Sequence, residues 1–206
     1  MEKVLKIDRK SPDLSLLRQA AKLILKGEVI AFPTDTFYGL GADALNPMAV
    51  EKVFEIKGRD PKKPILVLVS NFGHASDLVK AVPSEARRLM SRFWPGPLTL
   101  VFVASDKVPD LITAGTGKIG IRVPADPLTA ILLRIIAAPI TATSANRSGA
   151  ISPTTAQEVL ETLGHQVALI LDAGATPGGM PSTVVDVTTS PITLLREGQI
   201  PAEMLV

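Results

Sequence analysis

Short polar segments stand at the ends of apolar runs with no packing role of their own: Pro33-Thr34-Asp35-Thr36, Lys57-Gly58-Arg59, Arg122, Thr143-Ser144-Ala145-Asn146, Ser182-Thr183 and Arg196. In α/β sheets, ligands sit where strands run out into loops, so such ends can converge on one cleft. Lys57 and Arg59 flank a glycine, and an extended or turning x-Gly-x presents alternate side chains to the same side. Arg forks onto phosphate or carboxylate and Lys adds a point charge, so the pair suits an anion. A solvated helix end uses the same residues to complement its macrodipole. Ser144 and Asn146 flank one small Ala after the apolar run PITAT; they offer a hydroxyl and an amide to phosphate or ribose oxygens, or serve as plain turn residues. Arg122 lies inside IGIRV, where a buried cation needs a partner. A bound carboxylate or an internal acid such as Asp126 or Asp172 would serve. Asp35 and Asp43 read either as paired acids or as strand-end turn chemistry.

Other chemistries lack their residues. The 206-residue chain has no Cys, which excludes thiol nucleophiles, disulfides, Fe-S clusters and Cys-based zinc sites. His74 and His165 are isolated, so a His-rich metal centre is not expected, and a metal ion would arrive with a phosphate ligand. The run AGTGK, 114–118, fails as a P-loop, because Ile112 and Ile119 stand where the loop needs Gly and Ser/Thr. No Ser has a plausible His in a nucleophile elbow. The net charge is only +2, yet residues 1–100 hold 16 basic and 11 acidic side chains and residues 101–206 hold 6 and 9. The cations concentrate between Lys52 and Lys63. Eight aromatics are few for a single-strand nucleic-acid reader. No apolar stretch reaches the roughly 18 residues of a membrane span, and the start lacks a signal-peptide core, so no membrane partner and a cytoplasmic address are expected.

Strand-length apolar runs alternate with segments of helical period, which predicts one α/β domain over 1–206. Ser11-Pro12 reads as the cap and first residue of a helix that Gly27 stops, and Asn46-Pro47 opens another that ends near Lys57-Gly58. Further helices are predicted over 83–92, 127–137 and 153–163. Strands are predicted over 28–33, 65–69, 98–103, 119–123, 139–143, 167–171, 183–187 and 192–195. The segments 94–97 and 175–182 read as turns or loops. Segments 57–63 and 173–181 are candidate lids.

Read in order, VIAFPTDTFYGLGADA (29–44), KGR with Pro64 (57–64), FWPGPLTLV (93–101), IGIRVP (119–124), TATSANRSG with Ser152 (141–152), STVVD (182–186) and LLREGQI (194–200) resemble the threonylcarbamoyl-AMP synthase family, the proteins with a YrdC-like domain. The resemblance covers about 29–200 and implies a twisted open mixed α/β sheet with flanking helices around a concave basic groove. It implies synthesis of threonylcarbamoyl-adenylate from L-threonine, bicarbonate or CO2 and ATP, with release of pyrophosphate. A separate tRNA-modifying complex would use the product downstream. The family's Lys-x-Arg and Ser-x-Asn pairs fall on Lys57, Arg59, Ser144 and Asn146, the implied catalytic residues. Threonine contacts carry over to Thr36, Arg122, Ala142 and Ser182, with Arg122 on the carboxylate. Nucleotide contacts carry over to Arg59, Lys63, Lys118, Ser144, Ser152 and Arg196. Mg2+ is implied on the ATP phosphates, with no protein metal ligand and no redox cofactor.

The chain departs from that pattern at Leu68, where relatives often carry His, and at Lys63 and Lys118, often Asn and Thr. Ending at Val206, it reads as the minimal single-domain form. Two other readings stand beside this one. A module could bind RNA or the ribosome through the same groove, with steep salt dependence, or a paralogue could adenylate a different carbamate. His165 is expected to be a surface or cap residue whose replacement by Ala is nearly silent.

Overall fold

A computed structural model describes residues 3–205. In chain order its elements are β1 (Val4–Lys6), α1 (Leu14–Leu25), β2 (Ile30–Pro33), β3 (Tyr38–Gly41), α2 (Pro47–Lys57), β4 (Leu66–Leu68), α3 (Phe72–Ser76), α4 (Ser84–Phe93), β5 (Leu98–Val103), α5 (Asp110–Thr113), β6 (Lys118–Arg122), α6 (Pro127–Ile136), β7 (Ile140–Ser144), α7 (Ala156–Leu163), β8 (Leu169–Asp172), β9 (Thr183–Asp186) and β10 (Thr193–Arg196). A short 3-10 turn, Ala202–Met204, follows.

Helix ends follow local cap chemistry. Asn46 accepts from the amides of Met48 and Ala49, Pro47 supplies the first helical residue of α2, and Gly58 ends it in the left-handed region at φ +57°. Asp126 and Pro127 open α6 in the same way. Helix α1 corrects the expected start. Its cap is Asp13, which accepts from the Ser15 amide, whereas the Ser11 amide donates to Asp8. Helix α7 begins three residues later than predicted because Thr155 and Glu158 form a reciprocal capping box. Thr155→Ala should therefore lower stability by about 1 kcal/mol, measurable as a shift in the denaturant midpoint at unchanged slope; no shift would contradict the capping role.

The ten strands form one open mixed sheet in the order β1-β8-β2-β3-β7-β4-β6-β5-β9-β10. Side chains alternate across it and divide the core in two. Ala31, Tyr38, Leu40, Val67, Leu100 and Ile121 face the larger core, which α2, α3, α4, α5 and α7 cover. Ile30, Phe32, Leu68, Ile140, Leu169 and Leu171 face the smaller one, under α1 and α6. Those two helices pack on each other and on β2, at one end of the sheet. The rest of that face, across β7, β4, β6, β5 and β9, forms the floor of a concavity.

Strands β1 and β3 and helices α3 and α5 were not anticipated. Strand β3, Tyr-Gly-Leu-Gly, is buried along its whole length, so it shows no polar alternation, and its glycines read as turn residues. Among the described residues no helix is long and apolar enough to cross a membrane.

Candidate active site

The concavity has a volume of about 720 Å³. Because side chains i, i+2 and i+4 of a strand share a face, the floor is built from Ala142 and Ser144 of β7, Leu66 and Leu68 of β4, Arg122 of β6 and Thr99 of β5. Gly120 keeps that floor low. A Cβ there would stand 2.4 Å from a Leu66 methyl, so any side chain would have to displace Leu66. The β2–β3 turn contributes Thr34, Asp35 and Thr36; the stretch before β4 contributes Arg59, Lys63 and Pro64; Ser152, Ser182 and Arg196 close the remaining sides. The lining thus holds four cations and one carboxylate.

Arg122 is 8% exposed. Its Nε donates to the Gly96 carbonyl at 2.9 Å, and its Nη2 pairs with Asp35 Oδ2. Asp35 is therefore the internal acid. Of the two acids anticipated, Asp126 instead caps α6 and Asp172 accepts from the Gly174 amide. Nor do Asp35 and Asp43 pair, since strand β3 separates them and Asp43 accepts from the Leu45 amide. The second oxygen, Asp35 Oδ1, is shut off from solvent without a hydrogen-bond partner. Arg196 donates through Nε and Nη2 to the Ser182 carbonyl at 3.1 and 2.7 Å, and through Nη2 to Ser182 Oγ at 3.2 Å. Burial, and then the neighbouring Arg122, draw its guanidinium below the usual arginine value. An anion beside the Arg196 guanidinium would relieve the cost of holding that charge there.

Arg59 reaches the cavity from just beyond α2. Its Nε donates to the Lys63 carbonyl at 3.2 Å and its Nη2 to the Pro64 carbonyl at 2.7 Å, so it also shapes the 59–64 loop. Burial lowers its guanidinium from the ordinary value.

Lys57 and Arg59 do not share one side. The left-handed turn at Gly58 separates them, and Lys57 points under the β7 end, 3% exposed and outside the cavity lining. Its Nζ donates to the Ser144 carbonyl, to the Asn146 carbonyl at 2.7 Å and to Asn146 Oδ1 at 3.1 Å. Asn146 Oδ1 also accepts from Ser144 Oγ at 2.6 Å, while its Nδ2 donates to the Ala150 carbonyl. The geometry thus makes the Lys-x-Arg lysine and the Ser-x-Asn asparagine a clamp that holds Ser144 at the cavity edge.

Burial, and then the nearby Arg59 charge, push Lys57 down to about 8 from 10.5. Below pH 8 the lysine is charged in both states, and burial penalises the fold. Between about 8 and 10.5 the unfolded chain binds the extra proton, so stability rises with pH over that window. Its span is on the order of 3 kcal/mol. Lys57→Met should lack this rise; unfolding curves at pH 7.5 and 10 check it, and parallel pH dependence in the two proteins would contradict it.

Lys118 is also placed apart from the cavity. It shares the face of Arg122 but sits four residues away along β6, roughly 13 Å, where Nζ pairs with Asp186 at 2.8 Å. Sequence reasoning left out Thr99, whose hydroxyl lies 2.9 Å from Ser182 Oγ, and Tyr38, whose hydroxyl donates to the Gly174 carbonyl at 2.8 Å. A Thr in the apolar run LTLV was the available signal for the first. Burial and then Asp172 push Tyr38 up to about 12, keeping it a neutral donor. His165 is exposed.

The comparisons agree with this architecture. Residues 22–198 match the Sua5/YciO/YrdC family, described as "Telomere recombination". A threonylcarbamoyl-AMP synthase of Pyrococcus abyssi is 44% identical over 187 residues, 91% of this chain and 55% of that protein. One of Bacillus subtilis is 43% identical over 190 residues, 92% of this chain and 55% of that protein. The chain spans about half the length of these curated relatives. The crystal structure of P. abyssi Sua5 complexed with L-threonine superposes with a TM-score of 0.95 at 41% identity, over 99% of this chain and 60% of that one. With a family match over most of its length and relatives this similar, the chain belongs to the Sua5/YciO/YrdC family.

Proposed function

We propose that the chain synthesises L-threonylcarbamoyladenylate from L-threonine, CO2 or bicarbonate, and ATP, releasing pyrophosphate. The carrying observation is the convergence on one cavity of Thr36, Arg122, Ala142 and Ser182 with Arg59, Lys63, Ser144, Ser152 and Arg196. The first group suits a small zwitterion with a carboxylate on Arg122; the second suits phosphates and a ribose. The names of the relatives and the threonine complex of P. abyssi Sua5 support the same substrates.

In this reading the neutral threonine amine attacks CO2 and, losing one N–H proton to solvent, gives a carbamate. A carbamate oxygen then attacks the α-phosphorus of ATP, and the bond to the bridging oxygen breaks to release pyrophosphate. Nucleophile and target are both anions, so the protein contributes positioning and charge neutralisation. Arg59 and Lys63 offset the phosphate charge, Ser144 orients an oxygen, and Lys57 with Asn146 keeps Ser144 in place. Mg2+ enters as part of the MgATP substrate. The lining offers a cation one carboxylate, Asp35, and one of its oxygens is paired with Arg122. Leu68, beside Arg122 in the parallel β4–β6 register, offers an apolar surface to the threonine methyl. The product passes to a tRNA-modifying transfer complex in the cytoplasm.

Pyrophosphate release measured with single amino acids in bicarbonate and MgATP tests the proposal. Release with threonine alone is expected. Release with a different amino acid would reassign the substrate, and salt-sensitive RNA binding without any release would replace the enzyme with a binding module.

A further inference from the structure

We propose that Asp35 receives the substrate's amine, so that Arg122 and Asp35 together read an α-amino acid as a zwitterion. The inference rests on the proposed substrate only in that threonine is the amino acid tested.

Arg122 carries five N–H donors, and its bonds to Gly96 and Asp35 use two of them. The remaining edge is free to fork onto a carboxylate in the cavity that Arg122 lines. Asp35, the single carboxylate of that lining, touches the same guanidinium. A simple carboxylate ligand would be held by Arg122 and repelled by Asp35. An α-amino acid avoids the conflict, because its nitrogen lies two bonds from the carboxylate carbon. Its carboxylate on Arg122 and its amine on Asp35 would close a ring of alternating charge with the protein pair. Both the ammonium and the neutral amine carry N–H donors, so the contact persists when the amine becomes a nucleophile.

Asp35 Oδ1 is the acceptor this needs. It has no hydrogen-bond partner and is shut off from solvent, an unfavourable state for a carboxylate oxygen. Asp35 itself lines the cavity, and because its terminal torsion is soft a ligand amine there can draw a carboxylate oxygen toward it. The backbone around it is held: the Thr36 amide donates to Thr34 Oγ1 at 3.1 Å, and Thr34 Oγ1 donates to the Phe37 carbonyl at 2.7 Å.

Calorimetric titration of the wild type and Asp35→Asn with L-threonine and with 3-hydroxybutyrate, which is threonine without its amine, separates the roles. The wild type should prefer threonine by tenfold or more. Asp35→Asn should lose about ten- to a hundredfold in threonine affinity, the scale of one charge-assisted hydrogen bond, and bind 3-hydroxybutyrate as well as the wild type or better. Equal weakening toward both ligands would mean that Asp35 only holds Arg122, and would overturn the inference, as would no change toward either. If Asp35→Asn does not fold, Asp35→Glu serves: it keeps the charge, moves the oxygens, and should lower the preference for the amine. Loss of amine preference in the variants of an enzyme that turns out to prefer another amino acid would sink the threonine reading and keep the Asp35 assignment. Adenylate synthesis by the wild type with no amine-selective effect at Asp35 would do the reverse.

Discussion

Arg59→Ala will lower the rate of adenylate formation by two to three orders of magnitude, on the scale of removing one preorganised stabiliser of transition-state charge. Arg59 reaches the cavity while two of its donors grip the Lys63 and Pro64 carbonyls, so its position is set before any ligand arrives. The proposed reaction gathers negative charge where carbamate oxygen meets α-phosphate, and a guanidinium held in place neutralises it without reorganising. In the proposed complex threonine is held elsewhere, on Arg122. The loss should therefore appear in kcat, with KM for threonine nearly unchanged. Arg59→Lys keeps the charge but not the fork and should recover only part of the rate. Steady-state pyrophosphate release checks all three proteins; near wild-type turnover by Arg59→Ala would remove Arg59 from the mechanism.

Arg122→Leu will cost about three orders of magnitude or more in kcat/KM for threonine, and it will also destabilise the fold. The two effects have different origins. Removing one member of a buried ion pair leaves the other charge uncompensated, at about 3–5 kcal/mol, and Asp35 already has one unpartnered oxygen. Replacing both members by apolar residues removes that penalty. The double variant Asp35→Leu/Arg122→Leu should regain most of the lost stability in a denaturant titration while remaining unable to bind threonine. Recovered threonine binding in the double variant would show that the single variant failed by misfolding and that Arg122 does not hold the carboxylate.

What could be read before the structure was the chemistry that acts locally. Asn46-Pro47 and Gly58 bounded α2 because cap bonds span a few residues. The same reasoning misplaced the start of α1 by favouring Ser11-Pro12 over Asp13, a choice that depends on which carboxylate reaches which amide. Strand β3 was hidden because a strand buried on both faces has no alternation to show. At the site, strand-end polar residues were legible as a group, and most of them line one cavity. Their partners were not. Arg122 and Asp35 lie 87 positions apart, and nothing in their spacing records that contact. Lys57 looked like a ligand for anions because sequence shows its charge; that Gly58 turns it away from Arg59 and beneath Ser144 is a matter of one backbone angle. Lys118 shows the converse, a shared sheet face without shared reach.

The most direct test of the central claim is the fate of bicarbonate carbon. Purified protein is incubated with L-threonine, MgATP and either ordinary or 13C-labelled bicarbonate, and the products are resolved by mass spectrometry. The account predicts an adenylate that contains threonine plus one carboxyl carbon, heavier by one mass unit with the labelled substrate, formed together with an equal amount of pyrophosphate. An adenylate of threonine alone, unshifted by the label, or consumption of ATP without any adduct, would contradict it.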